Sequence, residues 1–527
     1  MVHKLRIPGT AKCGFLILLI ACGSIFLSFF YFTEETVSQD LNYEDDLYYS
    51  PQPVLPFTPE VLDENFDRCI FSTIYSDLGG TNATMRTLFP EIPSSISFLT
   101  DKQLKVKKYA IFEVLKTFTD LMASYFMVET VLIEPTILFC MLASQHKDLL
   151  IKRKFHFKNF FNSKHIVTFG IRGKDTLKLQ KAGAYANIKA RGFKMELVSE
   201  PLLGWMKTGN TTSSSNQYTS HAFFKYRDWI IHLVPFYDRG NFQWHAALET
   251  KSNKRIPFKE LYFTESASAY ENFGYESLKF YSHSLSNVNI PSNPQFFLFE
   301  TTSSRFLECN STIVSSFYKS NQTGVPGDHY SLSVPRFNKR TVIGLLELKA
   351  IFNPLLMNFW IWSGTMLGWY RQCDVIPYTS DVDFAAWASQ VDDLDDILHR
   401  LEQSDHMELR QRMGIVENTL EFNINCHNLR VDVFFLYHQS NGTWYAGHRP
   451  SKGYYFKYHH PDFTLCSAQL LDHKVLVPCE TEKVIITEYG PEWMKPVTSW
   501  NYESSIKNRG PNIYWDKSML EKVYQNN

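Results

Sequence analysis

The stretch from Ser363 to Trp387, SGTMLGWYRQCDVIPYTSDVDFAAW, most constrains what this 527-residue chain can fold into. It follows FWIW (359–362), which reads as a strand, and runs through a Gly-Thr turn and a helix start into a second strand that bears two carboxylates. Side chains alternate along a strand, so Asp381 and Asp383, two positions apart, share one face. Two hard oxygen ligands side by side suit a magnesium or manganese ion that keeps waters for exchange with substrate phosphates. A third carboxylate, Asp432, lies in LRVDVFFLY (429–437), an almost wholly apolar strand signal. A lone aspartate there needs a partner, and a metal shared with the other two would keep it ionised.

Gly364-Thr365 supplies a turn whose backbone N–H groups, at the start of the next helix, can approach a phosphate. Arg371, Lys457 and Lys474 are candidates to neutralise the remaining charge. Taken singly these signals are weak, because an isolated Asp-x-Asp is more often solvated or capping and a lone glycine is a turn. Their order (Gly-Thr turn, paired carboxylates, later strand carboxylate) is the layout of a nucleotidyltransferase-type palm.

The rest of the chain frames this segment. Val342, Leu345, Leu346, Leu348 and Ile351 form a helical stripe ending near Pro354, and Val391, Leu394, Ile397, Leu398 and Leu401 mark an amphipathic helix. The acidic run Asp392, Asp393, Asp395, Asp396 fits a solvated first helical turn better than a metal cluster. Upstream, VETVLIEPTILFCML (128–142) and DWIIHLVPFY (228–237) read as buried strands, and GNTTSSSNQYTS (209–220) as a loop. The polar stretch 320–331 marks a domain boundary. The expected fold class is α/β (α+β): an N-terminal domain over 61–335 and a catalytic domain over 336–527, the latter a mixed sheet with helices.

Ahead of these domains, residues 13–32, CGFLILLIACGSIFLSFFYF, carry no charge. Twenty helical residues span about 30 Å, the thickness of a bilayer's hydrocarbon core. Lys4, Arg6 and Lys12 precede the run and acidic residues follow it, which predicts a cytosolic tail (1–12), a signal-anchor transmembrane helix and a lumenal body. Cleavage after Gly23 is the competing reading, and it would leave only a short apolar core. Residues 33–60, acidic and proline-bearing, suit an extended stem. Sequons at Asn82, Asn210, Asn310, Asn321 and Asn441 agree with a lumenal body. Seven cysteines lie beyond the apolar run, so disulfides are expected with at least one cysteine left over. Lys+Arg 53 against Asp+Glu 54 gives a net charge of −1, which excludes a basic field for nucleic acid.

The segments WSGTMLGWYRQCDVIPYTSDVD, VENTLEF (416–422), RVDVFFLY, FKYHHPDFTLC (456–466), VLVPCET (475–481) and YGPEWMKPVTSW (489–500) resemble the fukutin family of LicD-like phosphosugar transferases. VLIEPTILF (131–139), GNFQWHAAL (240–248) and SRFLECN (304–310) extend the resemblance into the N-terminal half. The resemblance implies transfer of ribitol 5-phosphate from CDP-ribitol to an O-mannosyl glycan of a glycoprotein, with release of CMP, at a Golgi (or ER) membrane. Other glycosyltransferases of the same pathway are implied partners. By motif position Asp381, Asp383 and Asp432 would hold the metal, Gly364 and Thr365 would contact the donor phosphates, and either Asp432 or Asp383 would accept the hydroxyl proton. Transfer of phosphocholine or another phospho-alcohol, or a non-catalytic scaffold role, are the alternatives.

Overall fold

Apolar runs in the first half produce a sheet whose central strands, 166–172 and 229–239, are buried along nearly their whole length. The computed structural model describes residues 113–145, 160, 165–207, 216–248, 258, 271–276, 280–285, 288–320 and 333–526 apart from 498. The predicted tail, anchor and stem, and the sequons at Asn82, Asn210 and Asn321, lie outside the described residues. No described helix is long and apolar enough to cross a membrane.

The first sheet contains β1 (Val131–Leu132), β2 (Ile166–Arg172), β3 (Phe193–Pro201), β4 (Gln217–Tyr226), β5 (Trp229–Arg239), β6 (Phe242–His245), β7 (Phe273–Tyr275), β8 (Phe280–Leu285) and β9 (Val288–Pro291). Its main order among the described residues is β3-β4-β5-β2-β1-β9-β8, with β6 joining β5 to β7. β5 fulfils the expectation for 228–237, but 128–142 does not become one strand. β1 takes two residues and the chain turns into helix α1 (Pro135–Gln145). Proline is well suited to a first helical turn, where no N–H partner is needed, and residues 135–142 are all buried, so this part of α1 shows no polar face to betray a helix. Similarly, the residues read as loop up to 220 enter β4 at Gln217. At the centre of this half, His221, His232 and His245 are buried among Phe160, Phe223, Phe236 and Phe273, with His221 Nδ1 2.9 Å from His232 Nε2.

Helices α2 (Pro294–Glu300) and α3 (Ser333–Phe352) lead to the second half. There β10 (Phe359–Ile361), α4 (Ser363–Gln372), β11 (Asp381–Trp387) and α5 (Leu394–Glu402) are followed by the meander β12 (Met407–Ile415), β13 (Asn418–Cys426), β14 (Leu429–Gln439), β15 (Gly442–Arg449) and β16 (Tyr454–His460). The hairpin β17 (Leu465–Leu470) and β18 (His473–Pro478), helix α6 (Thr481–Tyr489), β19 (Ile513–Tyr514) and β20 (Tyr524–Asn526) complete it. The sheet runs β19-β16-β15-β14-β13-β12-β20, and β11 adds parallel to β14 with β10 at its edge. The strand at 359–361 and the helices over 333–352 and 394–402 match the predicted stripes. Asp393 Oδ1 accepts from Asp395 N at the start of α5 and Asp396 pairs with Arg400, so the acidic run is a capped, solvated turn.

The halves are tied by bonds that cross between them. A disulfide joins Cys309 to Cys373 at the end of α4, Ser467 Oγ donates to Ser304 O, and Arg239 Nε donates to Gln469 Oε1. A second disulfide, Cys466–Cys479, closes the β17–β18 hairpin. Cys140 is also disulfide-bonded, while Cys426 is a free, buried thiol among the described residues, in keeping with the expected leftover cysteine.

Candidate active site

The parallel pairing of β11 with β14 sets Asp383 directly beside Asp432 and Asp381 beside Arg430. Since all four positions have the same parity along paired strands, their side chains emerge on one face. Ligand oxygens of Asp381, Asp383 and Asp432 lie within 4.8 Å of one another, a cluster that could hold a metal ion. β13 contributes to the same face, because Asn423 is registered opposite Asp432 and Glu421 opposite Phe434.

Each aspartate is held differently. Asp432 is 1 % exposed, and both its oxygens are engaged: Asn423 Nδ2 donates to Oδ1 at 2.7 Å, and Arg430 Nε and Nη2 donate to Oδ2 at 2.8 and 2.6 Å. Asp381 Oδ1 accepts from Thr379 Oγ1 at 2.8 Å, and its Oδ2 lies 3.7 Å from Arg430 Nη2. Asp383 is clasped by the first turn of α4 and the residue before it. Gly364 N donates to its Oδ2 at 3.1 Å, Thr365 Oγ1 accepts from its backbone N at 2.8 Å, and Trp362 N donates to its carbonyl at 2.9 Å.

Crowding of like charges marks the electrostatics. Withdrawal from water, then repulsion from Asp381, Asp432 and Glu488, pushes Asp383 well above the usual carboxylate range despite Arg430. Burial also raises Asp432, with Arg430 opposing it. Burial raises Glu421 well above its ordinary value, and the neighbouring Asp432 adds to the shift. Glu488 is pushed up to about 7 by burial, against hydrogen bonds from Ser363 and Tyr489. A divalent cation would relieve this repulsion, and three oxygen donors at this spacing fit a hard ion such as magnesium or manganese.

The turn residues therefore reach the site, where they grip Asp383. A Cβ at Gly364 would come 3.2 Å from Asp383 Oδ2, so the absent side chain allows this approach. The three basic residues do not join the cluster. Arg371 is 1 % exposed, donates to Trp493 O and Tyr378 Oη and lies over the Phe317 ring, which makes it a clamp inside the fold. Lys457 sits on the opposite face of β16 from Tyr458 and His460, with its Nζ 3.6 Å from the Trp444 ring centre. Lys474 is buried against Glu300, beside the Lys349–Glu276 pair that joins α3 to the first half. Arg371 and Lys474 are buried and engaged by partners from other segments, and Lys457 is engaged by the Trp444 ring.

Sequence reasoning missed Arg430, Asn423, Glu421, Glu488 and Ser363. Arg430 was within reach, since it precedes Asp432 by two residues on the same strand, as Asp381 precedes Asp383. Asn423 and Glu421 arrive through strand register, and Glu488 through the packing of α6, so no local pattern announces them. Of the described sequons, Asn310 is exposed at a helix start and Asn441 at the β14–β15 turn.

This sheet alone fits many phosphoryl-transferring proteins, and comparison with known proteins narrows the choice. The family model described as LicD/FKTN/FKRP, nucleotidyltransferase domain, matches residues 357–480, and the one described as fukutin N-terminal matches 93–331. The human protein named ribitol-5-phosphate transferase FKTN is 34% identical over 323 residues, covering 60% of this chain and 68% of the relative. The mouse protein of that name shows the same identity and coverage. An uncharacterized Caenorhabditis elegans protein is 28% identical over 256 residues, 46% of this chain and 64% of its own. With both the first half and the aspartate-bearing half matched, and in this order, the chain belongs to the fukutin family.

Proposed function

We propose that the chain is a phosphotransferase that moves ribitol 5-phosphate from CDP-ribitol to a hydroxyl of an O-mannosyl glycan on a glycoprotein, releasing CMP. The convergence of Asp381, Asp383 and Asp432 carries this reading, and the names of the mammalian relatives supply the donor's polyol. In this reading the three carboxylates hold magnesium or manganese, which supplies charge neutralisation for the donor's phosphates. The acceptor oxygen attacks the phosphorus that bears ribitol, the bond from that phosphorus to the CMP oxygen breaks, and CMP leaves with the electron pair. The hydroxyl proton passes to a carboxylate. Asp432 has both oxygens committed to Asn423 and Arg430, which leaves Asp383 as the acceptor of choice. Arg430, with its side chain 59% exposed beside Asp381, stands where it can also meet a donor phosphate. Most of the rate gain comes from positioning and charge stabilisation.

The predicted membrane arrangement completes the proposal: a single-pass type II protein whose body faces the Golgi lumen. The test incubates the full chain with a phospho-mannosyl glycopeptide and magnesium or manganese, offering CDP-ribitol, CDP-glycerol or CDP-choline in turn. The expected result is a glycopeptide mass gain with CDP-ribitol, abolished by chelator, with CMP in equal amount. Gain with CDP-choline instead would transfer the assignment to phosphocholine, and no gain or CMP with any donor would favour the scaffold role.

A further inference from the structure

Ser363 opens α4 with φ +42, a left-handed backbone that serine adopts only when its surroundings impose it. The next residue, Gly364, is the one whose N–H donates to Asp383 Oδ2. The twist at Ser363 therefore aims that N–H, and something must hold the twist. Ser363 Oγ donates to Glu488 Oε1 at 2.5 Å and lies 3.1 Å from Tyr489 Oη. Glu488 is 0 % exposed on α6, and its Oε2 has no hydrogen-bond partner, with His460 Nε2 3.9 Å away. Burying a carboxylate without full satisfaction is costly, so its retention at this position asks for a purpose.

We infer that Glu488 is a positioning residue, which fixes the Ser363-Gly364 turn through the Ser363 hydroxyl and so holds Asp383 in place for the reaction. It lies beyond the segment matched by the nucleotidyltransferase family model, which ends at 480, and reaches the site because α6 packs on the start of α4. The effect on catalysis rests on the function proposed above, whereas the effect on the turn does not.

The test compares the full chain with Glu488→Ala, Glu488→Gln and Ser363→Ala, reading hydrogen exchange in peptides covering 360–368, the thermal midpoint, and kcat and KM. In Glu488→Ala, exchange over 360–368 should quicken at least about tenfold and kcat should fall roughly 10- to 100-fold, with acceptor KM little changed. Glu488→Gln, which keeps an oxygen to accept the Ser363 hydroxyl proton, should restore slow exchange and most of the rate. Ser363→Ala should match Glu488→Ala, and the double variant should be no worse than either. Unchanged exchange in Glu488→Ala, or a Gln variant as impaired as Ala, overturns the inference. Should Glu488→Ala fail to fold, Ser363→Ala and Glu488→Gln decide alone. A wild-type chain inactive with every CDP donor would overturn the proposed function while the exchange readout still decides this inference.

Discussion

Arg430 places two donors, Nε and Nη2, on a single oxygen of Asp432, and Asn423 takes the other oxygen. The result is a fully engaged, fully buried carboxylate at the base of the cluster, with its cation reaching outward past Asp381. Asp432 is thereby braced, and Asp381 and Asp383 keep more freedom toward an ion or substrate.

Replacing Arg430 with Gln should thus weaken both fold and site. Leaving the Asp432 oxygen short of its charged partner should cost about 1–3 kcal/mol in a urea titration. The transfer rate should fall at least about tenfold, and Arg430→Lys should recover little of it, because an ammonium cannot offer the same planar pair of donors. Wild-type behaviour of the Lys variant would show that charge alone suffices.

Asp383→Asn should behave in the opposite way toward stability. Repulsion and burial already disfavour the ionised Asp383, so a neutral amide should leave the thermal midpoint unchanged or slightly higher. Transfer should drop by roughly a thousandfold, measured as CMP release. Full activity in this variant would remove the aspartate cluster from the mechanism.

Lys474 offers a contrast between a binding role and a structural one. Lys474→Met leaves Glu300 buried without its cation and should destabilise the fold by about 3–5 kcal/mol. Adding Glu300→Gln should return much of that loss. The KM for the CDP donor should stay the same throughout, and a large rise would reinstate Lys474 as a donor ligand.

The buried histidines make the first half sensitive to acid. Burial lowers His245 to about 4, and an unfolded histidine titrates near 6.5, so between these values the unfolded chain binds the extra proton. Stability carried by His245 is therefore complete above about 6.5 and is lost as the pH falls toward 4. His245→Phe, stacked on Phe273 as the imidazole is, should take up roughly one proton fewer on unfolding over this window. Urea midpoints at several pH values would show it as a shallower slope, and an unchanged slope would mean that His245 is already protonated in the fold.

How much of this was legible in the sequence depended on how local the signal was. Apolar runs marked β5, β10 and β14, the carboxylate pair marked β11, and helical spacing marked α3 and α5, because each carries a pattern that its own residues reveal. Alternation marked Asp381 and Asp383 as a pair, and the apolar run around Asp432 marked it as a charge out of keeping with its strand. Neither signal marked the helix within 128–142, where buried residues show no polar stripe, or the partners of Arg371, Lys457 and Lys474, which come from distant segments. Glu421 and Glu488 enter the site only through strand register and helix packing, which no single segment encodes.

The parallel pairing of β11 and β14 also bears on how the molecule comes into being. Asp383 and Asp432 are about fifty residues apart in the chain, and β14 must also pair with β13 before that neighbourhood is complete. A pairing so far apart in sequence forms slowly compared with hairpins, because the loop must close before its contacts are gained. If the cluster holds an ion as proposed, its site is expected to form after the β12–β13–β14 meander, late on the folding route. Under that proposal an added cation should slow unfolding of the finished protein while doing little to hasten the earliest steps of its assembly, which stopped-flow folding with and without magnesium would check.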